Sequence, residues 1–228
     1  EGGFVDWGDK IIVDISNICQ KDLICSTLYS GSLVYDLVHN IFGESSDTYY
    51  IITGSNTVSS SSVGNTDNII SYNPITKRCF IRTEFSNSFL DEGTDLAIAT
   101  VTIHESLHAA LSVVNAEGFF ISEGGAEPSY EQLVAGFTEY LETNSNNDYE
   151  GAQHDILSDL IDDIATSISI WGGNNDHQLP FAYYKKLAWL GLTHYEDSGG
   201  DLIINPLFNL AFPVTEDQNE ILNIISAE

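Results

Sequence analysis

The stretch His104-Glu105-Ser106-Leu107-His108 brings two imidazoles and a carboxylate together. On an α-helix, residues four apart are neighbours on one face. His104 and His108 can therefore turn two ring nitrogens towards one ion, and neutral imidazole nitrogens bind Zn²⁺ at about 2.0–2.1 Å. Glu105 sits one residue further on, roughly 100° round a helix of 3.6 residues per turn. It is out of line to ligate the same ion, yet it can reach a water beside it and act as general base. With 6 His and 16 Glu in 228 residues, such a pentad arises by chance with a probability of about 1 in 100. The chemistry this points to is zinc-assisted hydrolysis, with one Zn²⁺ per chain.

A hydrolytic zinc needs a third protein ligand and one open position. Two downstream residues compete. His154 opens a long helical pattern and shares a face with Leu157 and Ile161, so it is expected to point inward. Glu139, in Gly136-Phe137-Thr138-Glu139-Tyr140, lies with Gln132 and Glu142 opposite Leu133, Phe137 and Leu141. Helical geometry favours His154, although a helix-start histidine is also an ordinary core residue. Tyr184, His194 and Tyr195 are candidate stabilisers of the oxyanion, and the sequence does not choose among them. Asn146-Asn147-Asp148 and Asn174-Asn175-Asp176 suggest calcium but do not follow the EF-hand loop pattern.

The elements that must position these residues follow from periodicity. Residues 1–15 read as an irregular or strand-like lead-in, and Leu23 to Phe42 has helical spacing stopped by Gly43. Thr48 to Thr53 reads as a strand, the Ser/Thr/Asn/Gly-rich Ser55 to Asn65 as a loop, and Asn68 to Tyr72 and Arg78 to Phe85 as two further strands. The last of these is expected to offer an edge to an extended peptide by strand addition. Thr94 is an N-cap with Asp95 well placed for the helix dipole, and Leu107, Leu111 and Val114 form the apolar stripe of an amphipathic helix. Tyr130 to Leu141, Gln153 to Ile170, Ala182 to Leu192 and Glu216 to Ile225 read as helices, with Gly172 to Gln178 a polar connector. Strands precede helices, so the expected class is α+β: one domain, residues 1–228, with a small sheet in 1–90 and a mainly helical 91–228 carrying the metal site.

Only 7 Lys+Arg face 34 Asp+Glu, a net charge of −27. Nucleic acid is disfavoured, since phosphate binding needs basic side chains, and so is an anionic membrane surface. No apolar run approaches the roughly 20 residues of a membrane span, and residues 1–15 are not expected to act as a signal peptide. A chain without Met that starts at Glu1 is expected to be a mature or excised piece, with an upstream domain missing and a secreted or cell-surface location. Cys19, Cys25 and Cys79 are odd in number. Three buried thiols are expected, with a Cys19–Cys25 loop as the oxidised alternative.

Thr102-Ile103-His104-Glu105-Ser106-Leu107-His108-Ala109, then Gln153-His154-Asp155, then Tyr184 to Leu192, together resemble zincin-like metallopeptidases of Bacteroidetes, themselves loosely similar to SprT-like proteins. The match covers roughly residues 19 to 196. It implies a zincin-like fold, His104, His108 and His154 as ligands, Glu105 as base, and a peptide or protein substrate. Gly136 to Tyr140 also brings gluzincins to mind, but Ala135 stands where their ligand glutamate would be. The metzincin extension after His108 is absent too. The alternative from another class is a zincin-fold binding or interaction domain of a larger secreted protein that performs no turnover.

Overall fold

In the segment Cys79–Ser86 the buried side chains alternate with half-buried ones: Cys79, Ile81, Thr83 and Phe85 face inward, while Phe80, Arg82 and Glu84 face the other side. Thr48–Ser55 repeats the pattern with Thr48, Tyr50 and Ile52 buried. This period of two is that of a strand covered chiefly on one face. A computed structural model describes residues 10–30, 35, 38, 41–42, 48–58, 63–66, 71–72, 75, 78–117, 157–158, 160–196, 202–204, 208, 211 and 215–227.

Five strands form a mixed sheet. β1 (Ile11–Asp14), β2 (Thr48–Ser55) and β5 (Cys79–Ser86) are parallel neighbours in that order. Two short strands, β3 (Gly64–Thr66) and β4 (Ser71–Tyr72), run antiparallel along the remaining side of β5. The strand expected to offer a peptide-binding edge, β5, is therefore paired on both sides. Among the described residues the outer strands are β1 on one side and β3 with β4 on the other.

Helix α1 (Ile18–Leu28) starts at an Asn17 cap whose side chain accepts from the Cys19 amide at 3.0 Å. That start is earlier than apolar spacing suggests, because Ile18 remains 64% exposed and adds nothing to the inward stripe, and the helix ends at Leu28 with a Tyr29 cap, not at the expected Phe42. After the short α2 (Asn87–Glu92), Thr94 opens α3 (Asp95–Glu117), accepting from the Ala97 amide at 3.1 Å. The cap expected at Thr94 is present. The expected amphipathicity is not: every residue from Leu96 to Ala110 is buried, as in a helix enclosed on all sides. Thr100 and Thr102 tolerate this because their hydroxyls donate to the Leu96 and Ile98 carbonyls at 2.8 and 2.7 Å. Asp95–Val113 is long and apolar enough to cross a membrane by length and composition, contrary to the reading of the sequence. Yet 94% of that window is buried inside the protein, so the core accounts for its apolarity.

The enclosing elements are α1, the inner sheet face and α4 (Ile161–Asn174). α4 packs in turn on α5 (Phe181–Leu187), followed by a hairpin of β6 (His194–Glu196) with β7 (Leu202–Ile204) and by α6 (Thr215–Ala227). One contiguous core runs from Val13 to Ile221 through both halves of the chain. The class is α+β, as expected. Helix α4 continues four residues past Ile170, through Gly172 and Gly173 to Asn174. Asn174-Asn175-Asp176 is its C-terminal turn: the Asn175 side chain donates to the Trp171 carbonyl at 2.8 Å and Asp176 takes a positive φ of 64°. The helix expected over Tyr130 to Leu141 lies outside the described residues.

Candidate metal centre

Neighbouring residues on α3 reach different surroundings because each turns a further 100° or so round the helix. His104 and His108, one turn apart, bring their Nε2 atoms to 2.9 Å from each other, both rings buried. Two ring nitrogens at that separation can share a proton as a hydrogen bond. They can equally flank one cation: at metal–nitrogen lengths of about 2.0–2.1 Å they would subtend roughly 90° at the ion. The pair thus fits a metal, slightly closed relative to a tetrahedron. Among the described residues no set of three His, Cys, Asp or Glu side chains gathers to hold an ion. His154 and its rival Glu139 lie outside the described residues.

Glu105 turns towards the sheet. Its side chain lies against β3, where Thr66 Oγ1 donates to Oε2 at 2.6 Å. Gly64 permits this approach, since a Cβ there would stand 3.1 Å from Glu105 Cγ. Burial pushes the carboxyl up to about 7, against the opposing pull of the Thr66 hydrogen bond. A cation at the histidines would draw it down again by favouring the charged form. Tyr50 Oη lies 2.9 Å from Thr83 Oγ1 and 3.3 Å from Ser106 Oγ. Burial pushes the phenol up, its hydrogen bonds with Ser106 and Thr83 oppose that, and the charge of Glu105 adds a smaller upward push.

On the far side of His104 the chain turns at Gly191, with φ of 84°. A Cβ on Gly191 would fall 2.9 Å from both Cε1 and Nε2 of His104. The nitrogen that would ligate is therefore walled by glycine backbone. His194 begins β6 three residues later, within about 11 Å of Gly191 along the chain, with Nδ1 3.0 Å from Thr193 Oγ1. The Tyr195 side chain lies outside what is described. Tyr184, the remaining candidate stabiliser, lies in α5. It is buried against Gly172, and its hydroxyl donates to the His177 carbonyl, so its single proton is engaged in joining α5 to the end of α4.

Sequence reasoning missed Thr66, Thr83, Tyr50, Gly64 and Gly191. The only available signal was Gly64-Asn65-Thr66, where glycine and a hydroxyl stand two apart and so share a strand face; its first two residues fell in the stretch Ser55 to Asn65 read as loop. Comparisons with protein-family models, with curated proteins and with solved structures returned no match. Fold and site together define an α+β protein whose enclosed central helix carries a convergent histidine pair and a buried carboxylate beside it.

Proposed function

We propose that the protein is a zinc-dependent hydrolase of peptide bonds on a zincin-like scaffold. The observation that carries the reading is the 2.9 Å approach of the His104 and His108 Nε2 atoms, with Glu105 next to them in the chain. These two histidines would hold the ion, with His154 as third ligand. When bound, zinc supplies Lewis acidity towards the scissile carbonyl and lowers the pKa of water. Glu105 takes the proton of the attacking water and hands it to the departing amine. Its burial keeps competing solvent away, and Thr66 holds one of its oxygens. The outer strand β3, rather than β5, lies beside this carboxylate and is the strand able to align an extended peptide.

The test is metal content with turnover. Elemental analysis should find about one zinc per chain, lost in His104→Ala and His108→Ala. His154→Ala should weaken zinc strongly and Glu139→Ala should not; the reverse would transfer the third ligand to Glu139. Glu105→Gln should keep the metal and lose turnover of a peptide library by about 10²-fold or more. Full zinc occupancy in both histidine variants would sink the site. Wild-type protein with zinc but no chelator-sensitive cleavage would favour a binding domain.

A further inference from the structure

Behind Glu105 stands a row of hydroxyl groups. Thr66 Oγ1 donates to Glu105 Oε2 at 2.6 Å, lies 3.2 Å from the Glu105 carbonyl, and is 2.7 Å from Thr83 Oγ1. From Thr83 the row continues to Tyr50 Oη at 2.9 Å and to Ser106 Oγ at 3.3 Å. Tyr50, Thr83 and Ser106 are each 0% exposed, so bulk water does not compete for these bonds. Thr66 faces Thr83 because β3 pairs with β5 at that register position.

Proton counting sets the direction of the row. A hydroxyl has one proton to donate. The Thr66 proton goes to the carboxylate, so Thr66 accepts from Thr83. Thr83 has then given its proton and accepts from Tyr50, which in turn accepts from Ser106. All four O–H dipoles point the same way, towards Oε2, and such chains polarise one another in a low dielectric. Both ends of the row lie in α3, at adjacent residues 105 and 106, so the sheet grips the helix where the carboxylate leaves it.

We infer that Thr66 is a positioning residue for Glu105, holding Oε2 at the end of the chain Ser106–Tyr50–Thr83–Thr66 so that Oε1 is left for proton transfer. The inference rests on the reading of Glu105 as general base. It differs from a purely structural role for the hydroxyls, because a structural network should alter stability without selecting one kinetic constant.

The experiment uses the full chain in two forms. In the zinc-loaded protein, with a fluorogenic peptide, Thr66→Val should lower kcat by about tenfold or more, as small misplacements of reacting groups do. KM and zinc content should stay unchanged, and Thr66→Ser, which keeps the hydroxyl, should recover most of the loss. In the metal-free protein carrying ¹³C at glutamate carboxyls, the Glu105 signal is the one that Glu105→Gln removes. Thr66→Val should shift it and Thr66→Ser should return it. Tyr50→Phe, which only deletes the phenol oxygen, should shift it the same way and gives the test should Thr66→Val fail to fold. An unmoved carboxyl signal in a folded Thr66→Val or Tyr50→Phe overturns the inference. So does Thr66→Val with wild-type kcat while Glu105→Gln is inactive. If the wild-type chain cleaves nothing while the signal shifts as stated, the hydrolase reading fails and the anchoring of Oε2 by the hydroxyl chain stands.

Discussion

At the scale of single residues, glycine does two kinds of service here, and substitution separates them. Gly191 combines a positive φ of 84° with a position where a Cβ would come within 2.9 Å of His104 Nε2. Gly191→Ala should therefore cost about 1–3 kcal/mol in folding stability, from the backbone conformation alone. It should also weaken zinc binding, because the histidine ring must move; denaturant melts and a competitive zinc titration would show both. A variant that binds zinc as wild type does would mean the turn has no part in shaping the site. Gly173 is the contrast: it lies in α4, and a Cβ added there would meet nothing within 4 Å. Gly173→Ala should stabilise by about 0.4–1 kcal/mol, by restricting the unfolded chain. The His-Glu-His group was legible because all its members fall within one turn of one helix. Thr66 and Gly191 were not, since each meets that helix only through folding of distant segments.

At the scale of elements, the joint between α4 and α5 explains a misread boundary and gives Tyr184 a packing role. Gly172 and Gly173 are poor helix formers, so their sequence reads as a connector. The helix runs on through them because Tyr184 packs where a Gly172 side chain would be; a Cβ there would lie 2.6 Å from Tyr184 Oη. Tyr184→Phe should lose a neutral hydrogen bond, about 0.5–1.5 kcal/mol of stability, and leave zinc affinity and turnover unchanged. A large fall in kcat would restore Tyr184 as an oxyanion donor. β2, β5 and the Thr94 cap were readable because apolar alternation and capping are local signals. β3 was not: Gly-Asn-Thr has no apolar pattern and owes its strand form to pairing with β5. On α1, Cys19 and Cys25 are six residues apart, a rise of about 9 Å, beyond the reach of a disulfide while the helix persists. None of the three cysteines is in a disulfide. Against the expectation of three buried thiols, Cys19 is exposed and Cys25 only partly buried, its thiol pushed up chiefly by burial, while Cys79 is fully buried. Native protein should thus release one fast equivalent with a thiol reagent, a slower second, and the third only on unfolding. Simultaneous reaction of all three would contradict the packing of α1 and β5.

At the scale of the whole molecule the charge of −27 would govern how the proposed site meets a peptide. Two of the 7 Lys and Arg residues are held in ion pairs on α5, Lys185 with Asp162 of α4 at 2.6 Å and Lys186 with Glu220 of α6. These pairs are largely exposed, and such pairs contribute little individually, so the long-range field is the larger effect. A domain of this length has a radius of gyration of about 17 Å. The Debye length is about 30 Å at 0.01 M salt and about 8 Å at 0.15 M. At low salt a peptide therefore sees the charge of the entire molecule, and at physiological salt only the charges near its landing place. Peptides carrying several Lys or Arg should be cleaved with kcat/KM about tenfold or more higher at 0.01 M than at 0.15 M, through faster encounter. A neutral peptide of the same length should change little, and an acidic one should improve as salt is added. The same screening relieves self-repulsion, so the thermal midpoint of the metal-free protein should rise over this salt range while capture of basic peptides falls. Opposite movement of these two quantities separates electrostatic steering from a general effect of salt on folding. Equal salt dependence for basic and neutral peptides would remove the acidic surface from any account of substrate choice.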